Sequence, residues 1–197
     1  MRAGPLISFA GALLATLVAG AGSGAADPAA PIASGTYRGA LRCSGSDSFS
    51  NGAATRRYRS SPEASVAFAS GQRLKRWTYV FLGRRDLIIQ SRAVRRGQLF
   101  SYSAGTHIGR PGRTRVTVDS VAASRGNVEL LARLDWSSPA SHYIGAGTYA
   151  LTLARESATV IRYEVVKVVV KQPLARPSRP NPVIRRHEHC VGLLRRR

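Results

Sequence analysis

The stretch NVELLARLDW, residues 127–136, decides the fold class of this chain. Apolar residues recur in it at every second position, and the charged residues Glu129, Arg133 and Asp135 lie between them. Successive side chains of a β-strand point to opposite faces of a sheet, so this alternation predicts a strand with one buried and one solvated face. The residues that we expect to face inward are Val128, Leu130, Ala132, Leu134 and Trp136.

The same alternation continues on both sides of this strand. Turn signals such as Ser124-Arg125-Gly126-Asn127 and Gly109-Arg110-Pro111-Gly112 separate the segments. The short intervals leave little room for crossover helices, so neighbouring strands are expected to pair antiparallel. The pattern predicts about ten short strands, as in an all-β barrel or sandwich. They lie at 35–43, 64–70, 74–82, 87–90, 99–103, around 116–118, at 127–136, around 149–153, at 159–171 and from 183 to about 193, with longer loops at 44–63, 137–147 and 172–182.

The first 26 residues have the pattern of an export signal. Arg2 provides a positive start, the apolar run Leu6–Val18 follows, and small residues precede a cut after Ala26. The apolar run is shorter than the ~20 residues that a membrane-spanning helix needs. We therefore predict a periplasmic or secreted mature protein, cleaved near Ala26 and without a transmembrane segment. The predicted organisation is a signal peptide at 1–26, a Pro/Ala linker at 27–34, one β-barrel domain at 35–194 and a basic tail at 195–197.

The chain has two cysteines, Cys43 and Cys190, and export would expose them to an oxidising compartment. An isolated pair in an oxidising compartment predicts a disulfide. The Cα atoms of a disulfide usually lie roughly 4.4–6.8 Å apart, so the first and last strands would be neighbours. This favours an antiparallel up-and-down meander of about 8–10 strands closed into a barrel, and a β-sandwich remains the alternative. A metal site made of Cys190, His187 and His189 lacks the four-ligand spacing of structural zinc.

Two short motifs carry a family resemblance. The first predicted strand opens with Gly35-Thr36-Tyr37, and the last carries Arg185 and Arg186. An exported, disulfide-closed up-and-down barrel with these motifs resembles the lipocalin and calycin group. That group begins its first strand with Gly-x-Trp and packs an arginine over the aromatic ring, whereas this chain has Tyr37 and no pattern for the usual C-terminal helix. The resemblance implies the fold, and the function has to be argued from a site.

The charge of the chain is strongly basic. It carries 30 lysine and arginine residues against 10 acids, for a net charge of +20. The basic residues fall at both ends of the predicted sheet, which implies attraction to anionic surfaces such as lipopolysaccharide, acidic phospholipid or polysaccharide. Nucleic acid as a partner would suit the charge but not an exported protein. The aromatic–arginine run at 56–59 is expected to be a solvated loop.

Inward-facing aromatic residues offer a second clue to function. In a small barrel such residues fill the core, and this is the expectation that we favour. The functional alternative is an apolar pocket for a small amphipathic or anionic ligand, lipid-like or fatty-acid-like, with Arg185 and Arg186 as anion contacts. An envelope-associated structural or interaction protein that acts through its basic surface is the other function considered. The candidate pocket residues are Tyr37, Phe68, Trp77, Tyr79, Trp136 and Tyr149.

Catalysis has weak support in the sequence. There is no Gly-x-Ser-x-Gly elbow and no glycine-rich phosphate loop before a helix. We predict a protein that is not an enzyme and that has no cofactor. His187 and His189 would share one strand face and could hold a divalent metal in a metal-dependent enzyme, which is the alternative. The neighbouring cations Arg185 and Arg186 oppose metal entry, and no third ligand is evident.

The export signal can be tested directly. Replacing both Leu13 and Leu14 with arginine interrupts the apolar run, because charged side chains disfavour insertion of this segment. We expect the wild-type chain to be exported and to begin at Asp27, and the variant to stay in the cytoplasm uncleaved. Cell fractionation and N-terminal sequencing measure this, and export of the variant would contradict the assignment.

Overall fold

The computed structural model describes residues 30–107, 110–138, 143–174 and 181–197. The predicted signal peptide lies outside these residues. The described residues form one antiparallel sheet of twelve strands. In chain order, the strands are β1 (Gly35–Ala40), β2 (Arg42–Phe49), β3 (Arg56–Ser60), β4 (Glu63–Ala69), β5 (Arg73–Phe81), β6 (Arg84–Gln90), β7 (Leu99–His107), β8 (Arg110–Ser124), β9 (Asn127–Ser138), β10 (Tyr143–Arg155), β11 (Val160–Pro173) and β12 (Ile184–Arg196).

Hydrogen-bonded neighbours in the sheet follow the order β6-β5-β4-β1-β12-β11-β10-β9-β8-β7. β2 continues the line of β1 along β12, and β3 pairs with β2. The sheet curls into a half-barrel whose outermost strands are β6 and β7. Among the described residues, no backbone hydrogen-bond ladder joins β6 to β7, so the sheet does not close there. The curvature of the sheet encloses the core. The predicted all-β, antiparallel, barrel-like sheet is confirmed, with β1 placed between β4 and β12 in the strand order.

The disulfide between Cys43 and Cys190 is also confirmed, and it joins β2 to β12. The two residues are directly opposite in the register of the ladder, with their Cα atoms 4.0 Å apart. Both are buried. The bond therefore fixes an early strand to the last strand in the middle of the sheet.

Three sequence predictions of irregular structure are wrong. Residues 44–49 and 56–60, predicted as loop, lie in β2 and β3, and the run at 56–59 is therefore not a loop. β2 was obscured because the inward position 47 holds an aspartate. β10 begins at Tyr143 inside another predicted loop, because Gly145 and Gly147 occupy its inward positions. Arg195 and Arg196, predicted as a basic tail, belong to β12 and pair with β1.

The core changes character from one end of the sheet to the other. At the end where β4 joins β5 and β10 joins β11, the interior is apolar, with Leu153, Ile161 and Leu194 fully buried. At the other end, where β5 joins β6 and β11 joins β12, buried charged side chains replace the aliphatic ones. We call this second end the charged end. The buried charged side chains of the described residues therefore all lie at the charged end of the interior.

The disulfide should contribute appreciably to stability. Replacing Cys43 and Cys190 with alanine is expected to lower the free energy of unfolding by about 2–4 kcal/mol, because the unfolded chain regains the freedom of a long loop. Urea unfolding of the variant and of the wild type, with and without reductant, measures the loss. Reductant should destabilise the wild type and leave the variant unchanged. Equal stability of oxidised and reduced wild type would contradict this expectation.

Candidate functional site

Charged side chains occupy the interior of the half-barrel at the charged end. Each lies on the inward face of its strand and is at most 8% exposed. Buried charges are costly unless they are paired and hydrogen-bonded, so their partners define the site. We call this set the interior charge cluster: Asp47, Lys167, Lys171, Arg186 and Glu188.

Asp47 and Arg186 form the first ion pair of the cluster. Arg186 on β12 donates from Nε to Oδ1 of Asp47 on β2, and from Nη2 to Oδ2, both at 2.6 Å. Arg56 on β3 donates to Oδ2 at 2.7 Å. Burial by itself would raise the pKa of Asp47, but the hydrogen bonds and charges of the two arginines outweigh it and lower that pKa. Asp47 is therefore a carboxylate with both oxygens occupied.

Glu188 forms the second centre of the cluster. Its Oε2 accepts hydrogen bonds from the Tyr58 hydroxyl at 2.5 Å and from the Gly83 backbone N–H at 2.8 Å. Its Oε1 lies 2.8 Å from Nζ of Lys167, which also donates to the Val80 carbonyl. Burial and the hydrogen bond to Glu188 raise the pKa of Tyr58, so this tyrosine stays protonated as a donor. Glu188 is thus bound to three other parts of the sheet.

A glycine on β2 makes the contact between Tyr58 and Glu188 possible. Gly45 is the register partner of both residues, one on each side. A Cβ atom on Gly45 would lie 2.2 Å from Cζ and the hydroxyl oxygen of Tyr58. The tyrosine ring therefore crosses directly over this glycine, from β3 to β12.

The three cations of the cluster surround one aromatic ring. Nζ of Lys167 lies 4.5 Å from the centroid of Phe81, and Nζ of Lys171 and Cζ of Arg186 each lie 5.2 Å from it. Lys171 also lies 4.7 Å from the Trp136 ring. These distances are in the range of cation–π interactions. Three cations thus share a small volume with two carboxylates.

This arrangement leaves positive charge without a counterion. The carboxylates of Asp47 and Glu188 are bound to Arg186 and Lys167. Among the described residues, Lys171 has no carboxylate partner, and Nη1 of Arg186 is buried without a hydrogen-bond partner. Burial and the charge of Arg186 lower the pKa of Lys171 to about 8. The cluster is therefore suited to accept an anion.

The backbone next to Lys171 carries little side-chain volume. Gly145 is its register partner on β10, and Gly147 follows on the same face. A Cβ atom on Gly145 would lie 3.3 Å from Cε3 of Trp136, so the indole ring covers this glycine beside the lysine. Glycine at position 145 therefore leaves room for the indole ring beside the ammonium group of Lys171.

Three of the predicted pocket residues pack in the core. Tyr37 and Phe68 make an edge-to-face contact with centroids 6.0 Å apart, and Trp77 makes one with Phe100 at 5.7 Å. Tyr37, Phe68 and Trp77 are all buried. These three residues pack in the aromatic and aliphatic part of the core, away from the interior charge cluster.

The other three predicted aromatic residues lie nearer to the cluster. Tyr79 and Tyr149 stack at 5.4 Å, and Lys167 lies 4.9 Å from the Tyr79 ring. The Tyr149 hydroxyl is 3.1 Å from that of Tyr163. Burial raises the pKa of both hydroxyls, which keeps them neutral. Trp136 is half-buried and contacts Lys171. Among the described residues, the six aromatic side chains are therefore divided between two parts of the interior.

The two predicted anion contacts are separated by the sheet. Arg186 points inward to Asp47, whereas Arg185 is exposed. Arg186 lies over Phe81, so its aromatic contact is not the Tyr37 ring that the family resemblance implied. Of the pair, Arg186 alone belongs to the interior charge cluster.

The histidines of the metal alternative lie on β12 away from the cluster. His187 is exposed, and Nε2 of His189 lies 2.9 Å from Oε1 of Glu164 on β11. The described parts of the chain contain no group of three or more histidine, cysteine or acidic residues arranged to hold a metal ion. His189 thus has a glutamate neighbour, but the two histidines have no complete ligand set in those parts of the chain.

Most of the cluster was missed by the sequence reasoning. Lys167 and Lys171 share the inward alternation of Val165 and Val169, and Glu188 shares that of Cys190. A charged residue at an inward position of a strand was the available signal. It was hidden because β11 has valines on both faces, so its inward face could not be recognised.

Comparison with models of known families, with characterised proteins and with solved structures gave no match. No helix within the described ranges is long and apolar enough to cross a membrane. The chemistry of the interior charge cluster is therefore the basis for the functional argument.

The buried ion pair should matter far more than an exposed one. We expect Asp47→Asn to lower the free energy of unfolding by about 3–5 kcal/mol, because it leaves Arg186 buried without its counterion. The matched control Asp119→Asn, in the exposed pair with Arg133, should cost less than about 1 kcal/mol.

The same variants test the titration of Asp47. Its pKa is lowered in the folded state, so its stabilising contribution is present at neutral pH and is lost as the pH falls through the lowered value. Asp47→Asn should flatten the acid side of the stability profile measured by urea unfolding. An equal effect of both substitutions at neutral pH would contradict the role of the buried pair.

Proposed function

We propose that this protein is an exported, non-enzymatic binding protein whose half-barrel holds a small amphipathic anion at the interior charge cluster. The observation that carries the proposal is the buried ammonium group of Lys171, which has no carboxylate partner among the described residues, beside Phe81 and Trp136. Nη1 of Arg186, buried without a hydrogen-bond partner, adds a second donor. A carboxylate or phosphate would supply the missing counterion, and an apolar group would pack on the rings.

The charge balance supports an anion as the ligand. A cation taken out of water loses its hydration, and a partner must replace it. Asp47 and Glu188 already have their oxygens engaged by other groups. Nη1 of Arg186 and the ammonium group of Lys171 are the donors left to a ligand. Charge-assisted hydrogen bonds of this kind are the stronger ones in proteins.

The aromatic side chains support an amphipathic ligand of limited size. Trp136 and Phe81 lie beside the cations and offer apolar faces. Tyr37, Phe68 and Trp77 fill the interior beyond them. A ligand would therefore place its charged group at Lys171 and a short apolar part against Trp136, as a medium-chain fatty acid can.

A cleft on the outer face favours a second candidate function. It has a volume of about 160 Å³ and is lined by Arg38, Arg76 and Arg85, with one acid, Glu63. Nε of Arg76 is buried there without a hydrogen-bond partner. Such a cleft suits a phosphate or sulfate group of an anionic envelope surface, so it supports the alternative of an envelope-associated protein.

The binding proposal can be tested with dodecanoate and calorimetry. We expect Lys171→Met to weaken binding about tenfold, the effect of losing one charge-assisted contact. The control Lys75→Met, at an exposed lysine, should bind as the wild type does. Dodecanol, which has the chain without the charge, should bind more weakly than dodecanoate.

Binding should also depend on pH. Lys171 loses its charge as the pH rises through about 8, so dodecanoate affinity should fall there, and Lys171→Met should remove this dependence. The charged groups that act on Lys171 are Arg186, Asp47, Arg56 and Lys167. Equal binding of dodecanoate and dodecanol would contradict the interior site. Binding of anionic vesicles that is lost in Arg76→Gln and kept in Lys171→Met would favour the outer cleft instead.

A further inference from the structure

The three lysines of the chain lie in three different environments. Lys75 is exposed on β5. Lys167 is buried and bound to the Glu188 carboxylate. Lys171 is buried between the rings of Phe81 and Trp136, with no carboxylate partner among the described residues. Of the three, Lys171 is the buried amine without an ion pair to a carboxylate among the described residues.

Such an environment favours the neutral, nucleophilic form of an amine. Burial removes the water that stabilises an ammonium ion, and a neighbouring cation repels it. Lysines that form imines with carbonyl compounds are activated by these two effects. Here burial and the charge of Arg186 lower the pKa of Lys171 to about 8, so roughly a tenth of the amine is neutral at pH 7 and about half at pH 8.

We infer that Lys171 is a carbonyl-capturing lysine, which forms an imine with a small oxo-acid bound at the interior charge cluster. The inference rests on the proposed function, because Arg186 would hold the carboxylate of the same ligand. Lys171 and Arg186 lie at equal distances, 5.2 Å, from the Phe81 centroid. Arg186 is also the charge that acts most strongly on Lys171. An oxo-acid would place its carboxylate at the unpartnered Nη1 of Arg186 and its carbonyl group at the Lys171 amine.

The chemistry needs no reactant beyond the ligand. The lone pair of the neutral Lys171 amine attacks the carbonyl carbon, a C–N bond forms, and the C=O π electrons move to the oxygen. A proton passes from nitrogen to that oxygen and gives a carbinolamine. The hydroxyl group then leaves as water as nitrogen loses its remaining proton, and a C=N bond results. Neither partner is oxidised or reduced, and hydrolysis by water reverses the sequence.

Reductive trapping with glyoxylate and sodium cyanoborohydride tests the inference on the intact protein. The hydride converts the imine into a stable secondary amine, which carries one carboxymethyl group. At pH 7.5 we expect this group on Lys171 at least about tenfold faster than on exposed Lys75, because far more of the Lys171 amine is neutral. Peptide mass mapping measures the rate at each lysine of the wild type, so the result does not depend on a variant that folds.

Two variants sharpen the assignment. Lys171→Arg keeps the positive charge but removes the amine, and it should lose the fast addition. Lys75→Arg is the matched control and should keep it. The fast addition should also slow as the pH is lowered from 8 to 6, because the Lys171 amine becomes protonated.

The outcomes separate this inference from the proposed function. If glyoxylate competes with dodecanoate but labels Lys171 no faster than Lys75, the covalent step is overturned and the anion site stands. If glyoxylate neither competes nor labels, the oxo-acid inference is overturned, whereas the proposed function is decided by the binding of dodecanoate itself. If the uncharged aldehyde propanal labels Lys171 as fast as glyoxylate does, the oxo-acid class is overturned. Fast labelling of Lys171 that excess acetate suppresses supports the capture of an oxo-acid.

Discussion

The inward face of β12 carries Arg186, Glu188 and Cys190, and through them the last strand is joined to β2, to β3 and to the turn between β5 and β6. Cys190 forms a covalent bond to β2, Arg186 an ion pair to β2, and Glu188 accepts hydrogen bonds from β3 and from the turn between β5 and β6. Buried charges require compensation. The strands that carry these partners therefore have to lie beside β12, and this proximity accompanies the curl of the sheet. The half-barrel depends on this one strand for both its curvature and its interior chemistry.

This constraint also divides the interior into two parts. Where β12 carries Leu194, the neighbouring strands supply aliphatic and aromatic side chains, and the core is ordinary. Where it carries Arg186 and Glu188, β11 supplies Lys167 and Lys171, and the positive charge exceeds the negative. An interior with excess positive charge and aromatic walls is uncommon as a purely structural solution, since apolar residues of similar volume would be as stable. That cost is the physical reason to look for function at the charged end.

Much of the fold could be predicted from alternation in the sequence, because strands such as β9 have one clearly apolar face. The prediction was wrong where an inward position holds a residue that is not apolar. Asp47 on β2, and Gly145 and Gly147 on β10, interrupt the expected pattern. The candidate site was missed because its inward positions also hold residues that are not apolar. Lys171 and Glu188 differ from solvent-facing charged residues only in the side chains around them. A single sequence does not specify those neighbours. Arg186 was identified as a candidate anion contact, but together with Arg185, which points the opposite way.

Local pattern by itself determined most of the strands, their antiparallel pairing and the disulfide between Cys43 and Cys190, because these depend on side-chain period, loop length and cysteine count. Only the tertiary structure decided which charges are buried, because burial depends on strands distant in sequence. Tyr58 reaches Glu188 across 130 residues and Arg186 reaches Asp47 across 139. The proximity of Lys171, Arg186 and Phe81 likewise arises when β5, β11 and β12 curl around the same interior.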